Sequence, residues 1–333
     1  MKIRQVAIED FGEPEVLQVV EVEAPSPGPG QLIVAPRYAG VSFTDIYMRK
    51  GYYRPPHTYA TRLPFTPGVD GVGVVAAVGP GVDGWKEGDS VAYVLGKGGY
   101  SQRVAIDAWK AVRPDPRLDP RTLCGLLTNG LTAYYLSHVL RPVEPGDWCL
   151  VHAAAGSVGQ FLTQLILVRG GRVIATAGSA EKERRLRELG VEHVCRYRER
   201  SFVEAVRDLT GGEGAHVAYD SVGADTYRDS MKALRRRGLC VLFGAASGIP
   251  DCVRPMEDLA ENGSIFVTRP HFAHYYTDSE AIAAGLARLT ALHLDGRLTV
   301  ALHPERFGLD RAADAHRLVE SRQAAGKVVL EIA

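Results

Sequence analysis

The stretch CLVHAAAGSVGQFLTQLILV, residues 149–168, decides the fold. Its first residues have the character of a buried strand ending at His152. Small residues follow, and Gly156 and Gly159 open an apolar helix over 158–168. Small side chains let a backbone come close to a pyrophosphate, whose charge is stabilised by the free N–H groups of a helix's first turn. The spacing is A-x-x-G-x-x-G, with Ala153 where the usual fingerprint has glycine. A glycine-rich turn alone carries little information. Set between a strand and a helix, within a run of such pairs, it carries much more. The competing interpretation, a tight strand–helix turn with no ligand, is disfavoured by that context.

Outward from this turn, strands are expected at 148–152, 172–176, 192–195, 216–219, 239–243 and 264–267. Helices are expected at 158–168, 182–189, 202–209 and 226–234. Short strands alternating with helices predict a parallel, doubly wound α/β sheet. The first ~120 residues differ, with extended runs at 2–8, 16–23 and 31–38. Valines interleaved with glycines over 68–82 suit a strongly bent strand. Residues 122–140 have helical spacing interrupted at Asn129 and Gly130. A helix over 281–292 and a strand over 327–332 close the chain, and that strand is expected to rejoin the front domain. The dinucleotide-type domain is therefore an insertion, at 126–268, in a domain made of 1–125 and 269–333.

Composition narrows the function. Lys and Arg total 39 and Asp and Glu 39, so the chain has no overall positive field for nucleic acid or an anionic membrane. No apolar run nears the ~18–20 residues that cross a bilayer, and the charged start MKIRQVAIED is unlike a signal peptide. The five cysteines are scattered and never form C-x-x-C, which argues against a disulfide framework or a closed zinc site. A reduced, cytoplasmic protein is the expectation.

The second expected strand ends VIATAGSAEK, with no acidic residue where NAD sites usually bind the ribose hydroxyls. Ser179 and Lys182 stand there instead, with Tyr197 and Arg198 after the third strand. A 2′-phosphate is accommodated by a hydroxyl and a positive charge, so NADPH is the expected cofactor.

The chain resembles the medium-chain dehydrogenase/reductase superfamily and, within it, the zinc-free quinone oxidoreductases related to zeta-crystallin. The resemblance spans nearly the whole length. It rests on GVVAAVGPGV followed by GDSVAY, on NGLTAYYL (129–136), HAAAGSVGQ, YDSVG (219–223), RRRGLCVLFGAASG (235–248), VTRP (267–270) and ESRQAAGKVVL (320–330). It implies a Rossmann domain inserted in a GroES-like, β-barrel-type catalytic domain. Alcohol dehydrogenases of the superfamily hold zinc through C-x-x-D and G-H-E segments. The matching stretches here run Ser42 to Asp45 and Gly68-Val69-Asp70, and Ser42 and Val69 do not serve as zinc ligands. The expectation is no metal.

The resemblance further implies hydride transfer from NADPH to a quinone, a flat acceptor that needs no Lewis acid. It places the substrate between the domains near Ser42, Tyr47, Tyr53 and Asn129, with a tyrosine hydroxyl bonding the reduced oxygen. The family usually has asparagine at the position of Ser42, and the segment 52–65 is longer than its usual loop. Asp45 is expected to organise its loop, and His57, His271 and His274 are expected to have surface or structural roles. Ala155, Gly156, Ser157, Val158 and Gly159 map to the pyrophosphate turn, and Ser179, Lys182 and Tyr197 to the adenosine phosphate. Ser221, Phe243, Gly244 and Ser247 map to the nicotinamide side. Thr268, Arg269, Arg322 and Lys327 complete the expected cofactor set. A homodimer paired through the edge strand at 264–267 is implied. Two alternatives stand beside the quinone reductase. One is an enoyl or alkenal reductase, and the other is a non-catalytic NADPH- or RNA-binding protein. The arginines at 235–237 give the last little support, since positive charge is favourable at a helix C-terminus.

Overall fold

The computed structural model describes residues 1–53 and 60–332. His57 and the middle of the 52–65 segment lie outside the described residues. The chain forms two units, one of Met1–Leu131 with Tyr276–Ala333 and the other of Thr132–Tyr275.

In the first unit, β1 (Lys2–Ala7) pairs antiparallel with β2 (Gln18–Glu23). A second sheet follows from β3 (Gln31–Val41), β4 (Gly71–Val78), β5 (Ser90–Tyr93), β6 (Val104–Asp107) and β7 (Ala111–Val112). Its order is β14-β3-β4-β5-β7, with β6 also on β3, and β14 is Val328–Glu331. The chain's last strand thus lies antiparallel on β3, pairing Val328 with Val41 and Glu331 with Tyr38. The long, bent β3 has register shifts against β4. Short α1 (Phe43–Arg49) leaves the end of β3 directly. After β7 come α2 (Pro120–Leu126), capped by the Asp119 carboxylate on Thr122 N, and α3 (Thr128–Tyr134). The helical break falls at Leu127 (φ −57°, ψ −115°), two residues before Asn129.

The second unit contains β8 (Trp148–Val151), α4 (Gly159–Val168), β9 (Arg172–Ala177), α5 (Ala180–Glu188), β10 (His193–Arg196), α6 (Phe202–Leu209), β11 (Ala215–Asp220), α7 (Tyr227–Lys232), β12 (Leu234–Leu242) and β13 (Phe266–Thr268). All strand pairings are parallel, in the order β10-β9-β8-β11-β12-β13. Strand order reverses direction beside β8, which is the switch point where doubly wound sheets bind ligands. The sheet's core is apolar on both sides, as parallel strands covered by helices require; Leu150, Ile174, Ala218 and Cys240 are fully buried on one face and Val151, Ala175, Tyr219 and Val241 on the other.

Two details differ from expectation. β12 begins at Leu234, where the pattern of residues 226–234 predicts a helix end, and Arg237 takes a left-handed φ of 57° within it. The extra residues are absorbed by a register shift on β11 between Ala215 and Val217. The second unit also runs on to Tyr275, because Tyr275 stacks on Tyr135 at 4.3 Å and Phe272 packs edge-on against the same ring at 6.2 Å. Residues 276–294 return to the first unit with α8 (Ser279–Leu294), and α9 (Ala312–Glu320) precedes β14.

Candidate functional site

In the second unit, β8 ends in a turn whose backbone is shaped for an anion. Ala153 has φ 48°, the left-handed conformation that makes glycine usual at this position. A Cβ on Gly159 would stand 2.7 Å from Ala154 Cα and nearer still to Ala153 O, so only glycine lets the helix start so close to the strand end. No side chain caps α4. Gly156 N–H and Gln160 N–H are used within the turn, on Ala153 O and Gly156 O, and the close-set backbone from Ala155 through Ser157 and Val158 to Gly159 forms a cradle that fits a pyrophosphate.

A buried polar chain supports this turn from beneath. His152 is 2% exposed, with Nδ1 3.2 Å from Thr176 Oγ1 and Nε2 2.9 Å from Ser230 Oγ. Ser230 Oγ donates to Asp220 at 2.7 Å, and Thr176 Oγ1 accepts from Ala153 N at 3.3 Å. Burial lowers the His152 pKa, so the ring stays neutral. Asp220 also accepts from Val222 N, Gly223 N and Thr226 Oγ1, which fixes the loop after β11. Sequence reading missed this network; the polar residues near the ends of apolar strands were its one signal.

Around the end of β9, Ser179 caps α5 by accepting from Lys182 N at 3.3 Å. Glu181 pairs with Arg185, one turn along, so it does not face the β9 end alone. Tyr197 is exposed with its hydroxyl against Gly178, and Arg198 is exposed beside it. The expected nicotinamide-side residues are partly tied into the fold. Ser247 Oγ donates to Val222 O at 2.9 Å and accepts from Asp225 N at 3.0 Å, so it is occupied in joining two loops. Arg269 donates to Gly244 O at 3.0 Å and Leu242 O at 3.4 Å. Ser221, Phe243 and Thr268 are half-buried nearby at strand ends. Arg322, in the first unit, is exposed with φ 60°.

The first unit brings Ser42, Asn129 and Lys327 together. Lys327, expected with the cofactor residues, is fully buried in this unit. Its Nζ donates to Ser42 Oγ at 2.6 Å and to Asn129 Oδ1 at 2.8 Å, and Ser42 Oγ donates to Asn129 Oδ1 at 3.1 Å. Behind it lies Asp70, also fully buried, 3.8 Å from the ammonium. The Asp70 carboxylate accepts from Gly40 N and Thr128 N, both at 3.0 Å. Gly40 makes room for this pair, since a Cβ there would be 2.7 Å from Lys327 Nζ and closer to Asp70. Asp45 accepts from Ser42 N and Gly68 N at 2.9 Å and from Val69 N at 3.2 Å, which organises the loop as expected of it. Burial and the neighbouring Asp70 push its pKa up to about 7 against the pull of Lys327 and these amides.

Tyr47 is buried at the end of this cluster's helix, in an aromatic group with Phe43, Tyr52 and Tyr53 at centroid distances of 5.7, 5.6 and 6.1 Å. Among the described residues, no group of three or more His, Cys, Asp or Glu is placed to hold a metal, and no helix is long and apolar enough to cross a membrane.

Two family models match the chain. The alcohol dehydrogenase GroES-like domain covers residues 28–116 and the zinc-binding dehydrogenase model residues 157–283. A 2-haloacrylate reductase from a Burkholderia species is 38% identical, with 98% of each chain covered. A probable quinone oxidoreductase of Schizosaccharomyces pombe is also 38% identical, over 98% of this chain and 96% of that one. Among solved structures, Escherichia coli quinone oxidoreductase complexed with NADPH superimposes with a TM-score of 0.93 at 35% identity, covering 98% of this chain and 99% of the other.

Proposed function

This chain belongs to the quinone oxidoreductase family of the medium-chain dehydrogenase/reductase superfamily, and from that premise we propose that it is an NADPH-dependent quinone reductase working without a metal. The observation that carries the reading is the buried Ser42–Asn129–Lys327 cluster. In it Ser42, at the position where the resemblance puts the cysteine of the zinc-holding relatives, is bonded to Asn129 and to the Lys327 ammonium. A dinucleotide fits the other unit, where the uncapped start of α4 and the left-handed Ala153 form the pyrophosphate cradle. The relative solved with NADPH supports the choice of coenzyme, and so does the β9 end, which offers Ser179 and Lys182 without an unpaired acid.

When bound, NADPH supplies a hydride at the nicotinamide ring. The chain's residues orient the acceptor and stabilise the oxygen that gains charge. Asn129 and the hydroxyls of Tyr47 and Tyr53 are the groups we assign to that oxygen, and Ser42, whose one proton goes to Asn129 Oδ1, acts by holding that amide. Ala155, Gly156, Ser157, Val158 and Gly159 hold the pyrophosphate, and Ser179, Lys182 and Tyr197 hold the 2′-phosphate. Ser221, Phe243, Gly244, Thr268 and Arg269 line the nicotinamide side, where Ser247 acts by fixing the loops. Arg322 is assigned to the coenzyme phosphate. Cytoplasmic residence and a homodimer accompany this reading.

A second reading, reduction of an activated C=C bond, is favoured by the 2-haloacrylate reductase relative. Steady-state NADPH oxidation with a naphthoquinone, an orthoquinone and a 2-alkenal separates the two. The quinone reading expects the quinones to have the higher kcat/KM, and a preference for the alkenal by orders of magnitude overturns it. Binding of NADPH without turnover of any acceptor identifies a non-catalytic protein.

A further inference from the structure

Lys327 has only donors to offer, because an ammonium has no lone pair. The Asn129 side-chain atom 2.8 Å from it must therefore be the carbonyl oxygen, and the amide's orientation is forced rather than chosen. The same oxygen receives the Ser42 hydroxyl. With both lone-pair directions of Oδ1 filled from the protein side, the donor end of the amide, Nδ2, is left. Among the described residues it has no hydrogen-bond partner. Lys327 is in turn held by Asp70, which is pinned by the amides of Gly40 and Thr128.

We propose that Lys327 is a positioning residue of the acceptor site: through Asp70 it locks the Asn129 amide with Nδ2 presented as a fixed donor to the oxygen of the reduced substrate. Ser42 completes the lock. A short hydroxyl at position 42 reaches Asn129 Oδ1 and Lys327 at once, so the amide contact the family usually takes from position 42 is supplied here from α3. The proposal rests on the reductase reading and refines it. A donor held in place before reaction costs no reorganisation as charge develops, which is why such groups act on kcat.

The test compares Lys327→Met, Asn129→Leu, their double variant and Asn129→Asp with wild type, using a naphthoquinone as acceptor. NADPH affinity is measured separately by fluorescence titration without acceptor. Each single variant is expected to lower kcat by about a hundredfold, with the Kd for NADPH within about twofold of wild type. The double variant is expected to be no worse than either single one, because both remove the same donor. Asn129→Asp keeps size and both acceptor contacts but has no N–H to present, so it should lose kcat as Asn129→Leu does. It also serves as the deciding variant if Lys327→Met fails to fold. Wild-type kcat in Asn129→Asp overturns the proposal. So does a tenfold or greater loss of NADPH affinity confined to Lys327→Met, which would make Lys327 a coenzyme ligand. Multiplying effects in the double variant also overturn it. A wild-type protein that turns over no acceptor fails the reductase reading itself, before any variant is compared.

Discussion

At residue scale, the turn after β8 holds strain in the backbone of one residue. Ala153 sits at φ 48°, where an L-residue costs ~1 kcal/mol relative to glycine. Ala153→Gly is expected to shift urea stability by no more than about 1 kcal/mol, the relief of strain being offset by the greater freedom of glycine in the unfolded chain. Ala153→Val is expected to destabilise by more than about 1 kcal/mol, since β-branching worsens a left-handed backbone. Equal stability of wild type and the valine variant would show that the strain is not there. The sequence marked this position as the one departure from the glycine fingerprint, and the backbone explains why glycine is usual. Coenzyme choice was legible in the same local way, from the missing acid after β9. Lys182→Ala is expected to lower the ratio of NADPH to NADH kcat/KM about tenfold, and an unchanged ratio would move 2′-phosphate recognition to Arg198 or Tyr197. The setting of Lys327 was not legible, because its partners Ser42, Asp70 and Asn129 are brought to it only by β14 pairing with β3 across the whole chain.

At the scale of elements, β3 is where the catalytic unit's construction is most exposed to test. Gly40 on β3 faces the Asp70–Lys327 pair so closely that a methyl group would overlap Lys327 Nζ and the Asp70 carboxylate. Neither can retreat without leaving a buried charge alone. Gly40→Ala is therefore expected to destabilise by about 3 kcal/mol or more, read from a urea midpoint, and to lower kcat through displaced Lys327. A fully stable, fully active variant would mean the pair has room to move. Strands and helices of the second unit followed from alternation of apolar runs and turn residues, since each is local. Bulges did not. The register shift between Ala215 and Val217 and the left-handed Arg237 are set by β12 pairing with β11, which no window of sequence contains. The helical break was also displaced. Asn129 and Gly130 are the weak helix formers, yet the chain turns at Leu127, where Thr128 N is drawn to the Asp70 carboxylate.

At the scale of the whole molecule, two buried groups of the catalytic unit set opposing pH dependences. His316 on α9 is fully buried, with Nδ1 3.3 Å from Arg49 Nη1 and Nε2 3.2 Å from Tyr100 Oη. Arginine only donates, so Nδ1 accepts and Nε2–H donates to the tyrosine. Arg49 also makes a bidentate pair with Glu320 and donates to Gly12 O, joining α1, α9 and the N-terminal loop. Burial and the Arg49 charge push the His316 pKa down to about 3. Between that value and ~6.5 the unfolded chain binds the extra proton, so this group's contribution is lost as pH falls. Asp45 is opposite in sign. Its folded pKa of about 7 lies above its ordinary value, so the folded state holds the extra proton and stability falls as pH rises toward 7. From about pH 4.5 to 6.5 the two slopes oppose each other, and the wild-type urea midpoint is expected to change little. His316→Gln keeps an acceptor for Arg49 and a donor for Tyr100 without a titrating ring. It should be more stable at about pH 4.5 than at pH 7, because the Asp45 slope remains alone. Asp45→Asn should show the reverse, less stable in acid, on top of a loss at every pH from facing an amide N–H2 toward backbone donors. If both variants keep the wild-type profile, the pH dependence belongs to other groups, and Asp45 and His316 bind protons alike in the folded and the unfolded chain.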